Sequence, residues 1–359
     1  MMRAALALAR RSLGRTWPNP AVGCVIVRDG RVIARGRTQD GGRPHAEADA
    51  IANAREALKG ATVYVTLEPC AHHGKTPPCA DALIAAGVGR VVSALEDPDP
   101  RVKGQGHARL AAAGIKVEIG EGAAAAAEIN AGFLLRVTEG RPLFHLKIAS
   151  SLDGRIATAS GESRWITGEA ARADGHRLRS LHDAILVGSG TVAADDPELT
   201  CRLPGLGAYS PDRIVLDSAA GMSADSKLAA TAQATPVRLF HTGAQASRVA
   251  LLREKGIDVI EVPASGEGRV DVAAVAQALG GLGYSSVLIE GGGRIAAAFL
   301  KAGLVDRISS YRAGIVLGED SRSAVGPLAL DRLDFAPRFR LVSSRTVGTD
   351  TLETWYRRT

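Results

Sequence analysis

Four residues between positions 45 and 79 have the types and spacing to do chemistry: His45, Glu47, Cys70 and Cys79. One imidazole and two thiolates can hold a zinc ion and leave the fourth tetrahedral position open, the arrangement of a catalytic rather than a structural zinc. Glu47 stands two residues after His45, spaced as a non-ligand within reach of the metal, where a carboxylate can move protons. The implied reaction is hydrolytic: a metal-activated water attacks an amidine-like carbon, and Glu47 returns protons to the departing nitrogen. The two cysteines are separated by eight residues, AHHGKTPP, where the commoner spacing is C-x-x-C. Its prolines stiffen a loop. His72 and Lys75 in that insert can face a ligand or its phosphate, and His72 or His73 can instead compete as a zinc ligand.

Other candidate positions are less specific on their own. Asn19 lies in WPNP, where flanking prolines fix its backbone; its amide can both donate to and accept from a pyrimidine edge, or simply make a turn. In the second half, SVLIEGGGRIAAAFL (286–300) reads as strand, Glu290, three glycines, helix. Such glycines let backbone N–H groups approach a phosphate at a helix N-terminus, and they serve equally as a structural turn. This is not the G-x-G-x-x-G fingerprint, and it comes late in its domain. VGSGTVAADDP (187–197) is a second strand–glycine–helix junction, with Asp195 and Asp196 as turn formers before Pro197.

The surrounding pattern alternates strands and helices. AVGCVIV (21–27) and RVIARG (31–36) flank Asp29-Gly30, a hairpin signal. A helix over 45–58 would carry His45 and Glu47 in its first turn, a strand over 61–67 would end just before Pro69-Cys70, and Cys79 would open the helix CADALIAAG. Ligands at helix N-termini beyond strand ends fit an open α/β sheet, which binds at its carboxyl edge. Residues 123–140 read as one helix closing this domain, and EGRP (139–142) as the boundary. A second alternation follows, with strands at 184–188, 213–217, 237–241, 257–262 and 286–290, a helix at 271–281 and an antiparallel tail.

The chain has 359 residues, room for two ordinary domains. Hydrophobic residues make up 46% and charged residues 23%, a soluble globular balance, and aromatics only 4%, so the core must rest on Ala, Val, Leu and Ile. Two cysteines remain beyond the zinc pair. Cys24 and Cys201 sit in apolar or strand-like contexts and read as buried free thiols, as in a reducing cytoplasm. No apolar run is long enough to span a membrane. The Arg-rich start reads as an amphipathic first helix with Leu6, Ala9 and Leu13 on one face rather than a targeting segment. The net charge of +6 comes from dispersed basic residues without interleaved aromatics, which favours phosphorylated small ligands over nucleic acid.

The long-insert motif TLEPCAHHGKTPPC resembles the deaminase half of the bifunctional pyrimidine deaminase–reductases of riboflavin biosynthesis. The resemblance extends to TWPNPAVGCVIV (16–27), LKIASSLDGRIA, SGESRWIT, VGSGTVAADDPELTCR, VLDS and IEGGG, and so covers nearly the whole chain. It implies an α/β protein with a cytidine-deaminase-like zinc domain over 1–141 and a dihydrofolate-reductase-like NADPH domain over 142–359. It implies one zinc per chain on His45, Cys70 and Cys79, and places pyrimidine contacts on Asn19, His72 and Lys75. Cofactor contacts would fall on Ala149, Trp165, Thr191, Asp195, Ser218, Gly292, Gly293 and Arg294. Reductase substrate contacts would fall on Lys147, Ser163, Arg179, Leu199, Arg202 and Glu290, with the two arginines clamping a ribose phosphate. Asp153-Gly154 would form a turn. The implied setting is cytoplasmic, with a phosphorylated pyrimidine as partner, no nucleic acid or membrane, and homo-oligomers left open. Two other classes stay open: a nucleic-acid-editing deaminase with an accessory domain, and a non-catalytic zinc scaffold or ligand sensor, which would not need Glu47.

Overall fold

The computed structural model describes every residue except His73, Lys75, Thr76 and Thr359. The chain divides into two compact units, Met1–Gly140 and Arg141–Thr359. In the first, α1 (Met2–Arg10) precedes the hairpin of β1 (Gly23–Arg28) and β2 (Arg31–Arg37), and then come α2 (Ala46–Ala52), β3 (Thr62–Val65), α3 (Cys79–Ala85), β4 (Arg90–Ser93), α4 (Gln105–Ala112), β5 (Lys116–Ile119), α5 (Ala123–Ile129) and α6 (Ala131–Glu139). The strands form one sheet in the order β2-β1-β3-β4-β5, antiparallel on the β1 side and parallel from β3 to β5. Asp29 and Gly30 both take positive φ, 49° and 74°, as a tight hairpin turn between right-twisted strands requires.

Strand alternation splits the core across two faces. Cys24, Ile26, Val63, Val65 and Val91 pack with Ala46, Ala50, Leu83 and Leu110 of the helices on one side. Val25, Val27 and Val92 pack with Met2, Ala5, Leu6 and Ala9 of α1 and Ala126 and Ile129 of α5 on the other. The first helix is therefore amphipathic as expected, although it stops at Arg10 and leaves Leu13 in the following turn.

Two helix expectations need correction. The helix after His45 runs only to Ala52, not to residue 58. The single helix read over 123–140 is two, broken at Asn130, whose backbone leaves the α region at φ −96° and ψ 14°. The cause is a buried side-chain contact: Asn130 Oδ1 accepts from Ala21 N at 2.9 Å and its Nδ2 donates to Ala21 O at 3.1 Å. Asparagine competes with the helix for backbone partners, and here a long-range pair wins.

The second unit is built on a nine-stranded sheet. Its elements are β6 (Leu143–Ser150), β7 (Arg155–Ala157), α7 (Glu169–Arg179), β8 (Ala184–Gly188), α8 (Ser189–Asp195), β9 (Asp212–Leu216), α9 (Lys227–Ala230), β10 (Val237–His241), α10 (Ala246–Glu254), β11 (Asp258–Glu261), α11 (Val272–Gly281), β12 (Ser286–Ile289), α12 (Gly293–Lys301), β13 (Val305–Arg312), β14 (Arg322–Ser323), β15 (Phe339–Val347) and β16 (Asp350–Arg357). The sheet order is β11-β10-β9-β8-β12-β6-β13-β16-β15. It is parallel from β11 to β13, and its last two strands are antiparallel. The chain steps outward from β8 to β11, then returns to insert β12 between β8 and β6. Crevices for ligands form beyond the carboxyl ends of such parallel strands, where the direction of winding reverses. Short runs such as AILVG and SVLI are buried throughout or nearly so, as strands covered on both faces must be.

Candidate active sites

Residues 45, 70 and 79 come together through three local devices. His45 is the N-cap of α2 in extended conformation, so its side chain leaves the start of the helix and Glu47 falls in the first turn. The helix is seated on β2 at Gly36, where an added Cβ would lie 2.2 Å from Ala46 O and 2.4 Å from Ala50 N. Asp49 fastens it further: its carboxylate accepts from Arg37 N at 3.0 Å and from Gln39 Nε2 at 2.8 Å. Cys79 opens α3, and its N–H donates to Cys70 Sγ at 3.3 Å. Cys70 O in turn accepts from Ala80 N at 3.1 Å.

His45 Nδ1 lies 3.7 Å from Cys70 Sγ and 3.4 Å from Cys79 Sγ. One nitrogen and one sulfur on a single tetrahedral zinc stand roughly 3.6 Å apart, given bond lengths of about 2.1 and 2.3 Å. The donor set and its spacing therefore fit a zinc ion held through His45 Nδ1, Cys70 Sγ and Cys79 Sγ, all within 4.8 Å of one another. The Cys79 thiol lowers Cys70 to about 4 by hydrogen bonding to it, and Cys79 is raised by the same contact. Glu47 is 4% exposed and within hydrogen-bonding reach of Cys79; burial, then the Cys70 charge, pushes its carboxyl up to about 7. The site thus joins a cation-ready ligand set to a carboxyl that can hold or release a proton near neutral pH.

Asn19 packs over Gly42, three residues before His45. Gly42 has φ 83°, and its missing Cβ would lie 2.1 Å from Asn19 Nδ2, so this glycine makes room for the amide. His72 is partly exposed, and its Nδ1 is buried without a hydrogen-bond partner. Lys75 lies outside the described residues. The sequence reading passed over three neighbours. Arg43 acts on His45 by its charge. Asp97 is pushed up to about 6 by burial. Asp99 feels the His72 charge and is held below the usual carboxylate range chiefly by Arg101. Both carboxylates lie in the run EDPDP, where the proline spacing does not show which side chains turn inward.

In the second unit one buried charge cluster dominates. Arg179, near the end of α7, grips Glu290, just beyond β12, through Nε at 2.8 Å and Nη2 at 3.0 Å. Lys147 Nζ of β6 lies 3.7 Å from the same carboxylate. Burial alone would raise Glu290, but Arg179 and Lys147 outweigh it and hold it down at about 2. Arg179 Nη1 and His176 Nδ1 also reach Thr200 O, at 2.9 and 3.2 Å, which ties α7 to the DDPELTCR loop. Leu199 in that loop is buried with φ 58°.

The two arginines read as a phosphate clamp are not equivalent. The Arg179 fork is already filled by Glu290, whereas the Arg202 side chain is 56% exposed and 3.8 Å from Glu198. Asp153 does more than turn the chain: its carboxylate accepts from Ser151 Oγ at 2.5 Å and Gly318 N at 2.8 Å, and so joins two loops.

The cofactor candidates follow the carboxyl edge of the parallel strands. Ala149 is near the end of β6, Thr191 and Asp195 are on α8 after β8, Ser218 follows β9, and Gly292 caps α12 after β12. Nothing lies within 4 Å of where a Gly292 Cβ would be, which leaves its backbone open to a ligand. Gly293 is different, since a Cβ there would strike Ser323 O at 2.6 Å. Its absent side chain serves packing against the 323–326 loop. Arg294 and Ser163 are exposed, and Trp165 is 68% exposed with the Arg172 guanidinium 4.5 Å above its ring.

Two family descriptions match the chain: the cytidine and deoxycytidylate deaminase zinc-binding region over residues 1–95, and the RibD C-terminal domain over 142–352. The riboflavin biosynthesis protein RibD of Escherichia coli is 43% identical over 366 aligned positions, covering 97% of this chain and 96% of its own. The chain belongs to the RibD family. The family member from Bacillus amyloliquefaciens is 42% identical, with 97% of this chain and 93% of that protein covered. Among solved structures, Acinetobacter baumannii RibD superposes with a TM-score of 0.89 at 38% identity, covering 100% of this chain and 98% of its own. The Thermotoga maritima diaminohydroxyphosphoribosylaminopyrimidine deaminase/5-amino-6-(5-phosphoribosylamino)uracil reductase does so at 0.85 and 34%, covering 99% and 97%. Family membership makes the chain a bifunctional enzyme of riboflavin biosynthesis, with a cytidine-deaminase-like domain first and a reductase domain second.

Proposed function

We propose that the chain deaminates 2,5-diamino-6-ribosylamino-4(3H)-pyrimidinone 5′-phosphate in its first unit and reduces the ribosyl group of the product in its second, with NADPH as the reductant. The observation that supports this most is the convergence of His45, Cys70 and Cys79 at zinc-ligand spacing beside a buried Glu47. Zinc, when bound to those three residues, supplies Lewis acidity and lowers the pKa of water. Two thiolates offset the metal charge, which lets Glu47 accept a proton rather than remain locked in an ion pair. Glu47 then delivers protons to the ring nitrogen and to the leaving ammonia, so that water is consumed, the C–N bond breaks and a carbonyl forms. Asn19 and His72 orient the pyrimidine. A scaffold or sensor would have no use for a buried, proton-holding carboxyl at this position.

In the second unit the nicotinamide ring supplies a hydride to C1′ of the ribosyl group when the cofactor is bound. The protein positions the two partners. Gly292 and the start of α12 offer backbone N–H groups to a cofactor phosphate, and Thr191, Asp195 and Ser218 line the neighbouring strand ends. Arg202, exposed and on a loop held by Arg179 and His176, binds the substrate phosphate. Glu290 and Lys147 form the charged floor beneath the sugar. Among the described residues no helix is long and apolar enough to cross a membrane. A coupled assay tests the proposal: ammonia release from the diaminopyrimidine should precede NADPH oxidation with equal stoichiometry. Ammonia release with no subsequent nicotinamide oxidation would remove the reductase assignment.

A further inference from the structure

Glu68 ends the strand-to-loop segment two residues before Cys70, and the reaction above does not use it. Its side chain is fully buried. Four backbone N–H groups from two separate stretches point at it. Oε1 accepts from Gly106 N at 2.8 Å and His107 N at 3.2 Å, and Oε2 accepts from Asp97 N at 3.1 Å and Gly104 N at 3.0 Å. Gly104, the N-cap of α4, has no side chain to cap its own helix, so Glu68 supplies that cap from a distant segment. The next residue is held as closely. A Cβ on Gly106 would lie 1.9 Å from Pro69 O, so the first turn of α4 rests directly on the Pro69 carbonyl. Cys70 follows, with its carbonyl and sulfur both taken by the start of α3. Three successive residues are thus fixed, one by its side chain and two by backbone contact.

By spacing alone Glu68, Glu96 and His107 resemble a second cation cluster. The hydrogen bonds argue otherwise, because both Glu68 oxygens already face two N–H donors each, and a cation there would meet four positive dipole ends.

We infer that Glu68 is a positioning residue for the zinc site: it sets where the Cys70 sulfur stands relative to His45 and Cys79. The inference rests on the zinc-deaminase reading of that ligand set. The carboxylate is suited to this task because each oxygen serves one pair of donors. Glutamine, of the same shape, can keep only one pair, and its NH2 group must then face the other two N–H groups.

The test uses the full-length protein loaded with Co2+ in place of zinc, which reports thiolate geometry through its visible bands. Wild type, Glu68→Gln and Gly106→Ala are compared for the cobalt spectrum, metal release to a chelator, and kinetics. Both variants should shift the thiolate-to-cobalt and d–d bands, and metal release should be on the order of 10- to 100-fold faster. Deamination should lose kcat with little change in KM, and reduction of pre-deaminated substrate should stay at the wild-type rate. A wild-type spectrum and release rate in Glu68→Gln, even with a lowered melting temperature, would make Glu68 a stability residue only and overturn the inference. So would failure of both variants to fold the first unit. A wild-type protein that binds no cobalt through its thiolates would instead defeat the zinc-deaminase reading, an outcome visible without any variant.

Discussion

Replacing Glu290 by glutamine should destabilise the second unit, and the loss should depend on pH in a defined direction. Glu290 is buried between Arg179 and Lys147, and its carboxyl is held at about 2 against an ordinary 4.5. A carboxyl shifted that far is favoured in its charged form by about 3 kcal/mol. Breaking a buried ion pair from one side costs ~3–5 kcal/mol, because the cations left behind are buried without compensation. Both routes give about 3 kcal/mol at pH 7, or ~6–12 °C in melting temperature for a unit of this size. The folded pKa lies below the unfolded one, so this stability is present above about 4.5 and is lost as pH falls toward about 2. The gap between wild type and Glu290→Gln should therefore shrink to about 1.5 kcal/mol at pH 3. Calorimetry on the full-length pair at pH 7, 5, 4 and 3 reads this directly. A gap that is constant across that range, or absent at pH 7, would show that the cluster does not hold Glu290 as its geometry implies.

Cys70→Ser and Cys79→Ser should each reduce zinc from about one per chain to near none and abolish ammonia release; mass spectrometry of metal content that finds full occupancy would remove them as ligands. Arg202→Ala should raise the KM for reduction about 10- to 100-fold, the cost of one charge-assisted phosphate contact, with kcat little changed; an unchanged KM takes Arg202 out of the site. His145 and His182 are buried and hydrogen-bonded at 3.1 Å, with burial lowering His182 to about 4 and His145 well below the ordinary 6.5. Their folded pKa values lie below the unfolded one, so the stability they confer is full above about 6.5 and is lost as pH falls from there toward 4. Their ring resonances should stay fixed between pH 8 and 5.5 in NMR, and a midpoint near 6.5 would contradict this. Fragments covering 1–141 and 142–359 should deaminate and reduce separately, since each has its own core; two folded but inactive fragments would mean that each site needs both halves.

Local signals carried much of this architecture. Asp29-Gly30 marked its hairpin, and the short apolar runs 184–188 and 237–241 appear as strands with the expected bounds. The placement of His45 and Glu47 at a helix start followed from composition and spacing alone. What the sequence hid were long-range hydrogen bonds. Asn130 breaks a good alanine-rich helix because Ala21, more than a hundred residues away, offers it a backbone pair. Glu68 stands two residues before Cys70, and nothing local marks the four N–H groups that converge on it. Arg179 read as a ready phosphate clamp because its type suits that role, but Glu290, 111 residues away, occupies its fork. The antiparallel tail appears as β15 and β16, whereas β13 went unread because it alternates polar and apolar residues only weakly.

The central claim, that a zinc-bound site with Glu47 as its proton carrier deaminates before a separate site reduces, is tested most directly by Glu47→Gln assayed with both substrates. The amide keeps the shape but cannot relay protons, and positioned acid–base catalysis is worth about 10²–10⁴-fold. The variant should retain about one zinc per chain, oxidise NADPH at the wild-type rate on pre-deaminated substrate, and release ammonia from the diaminopyrimidine at least about 100-fold more slowly than wild type. Ammonia release at the wild-type rate with zinc fully bound would contradict the account.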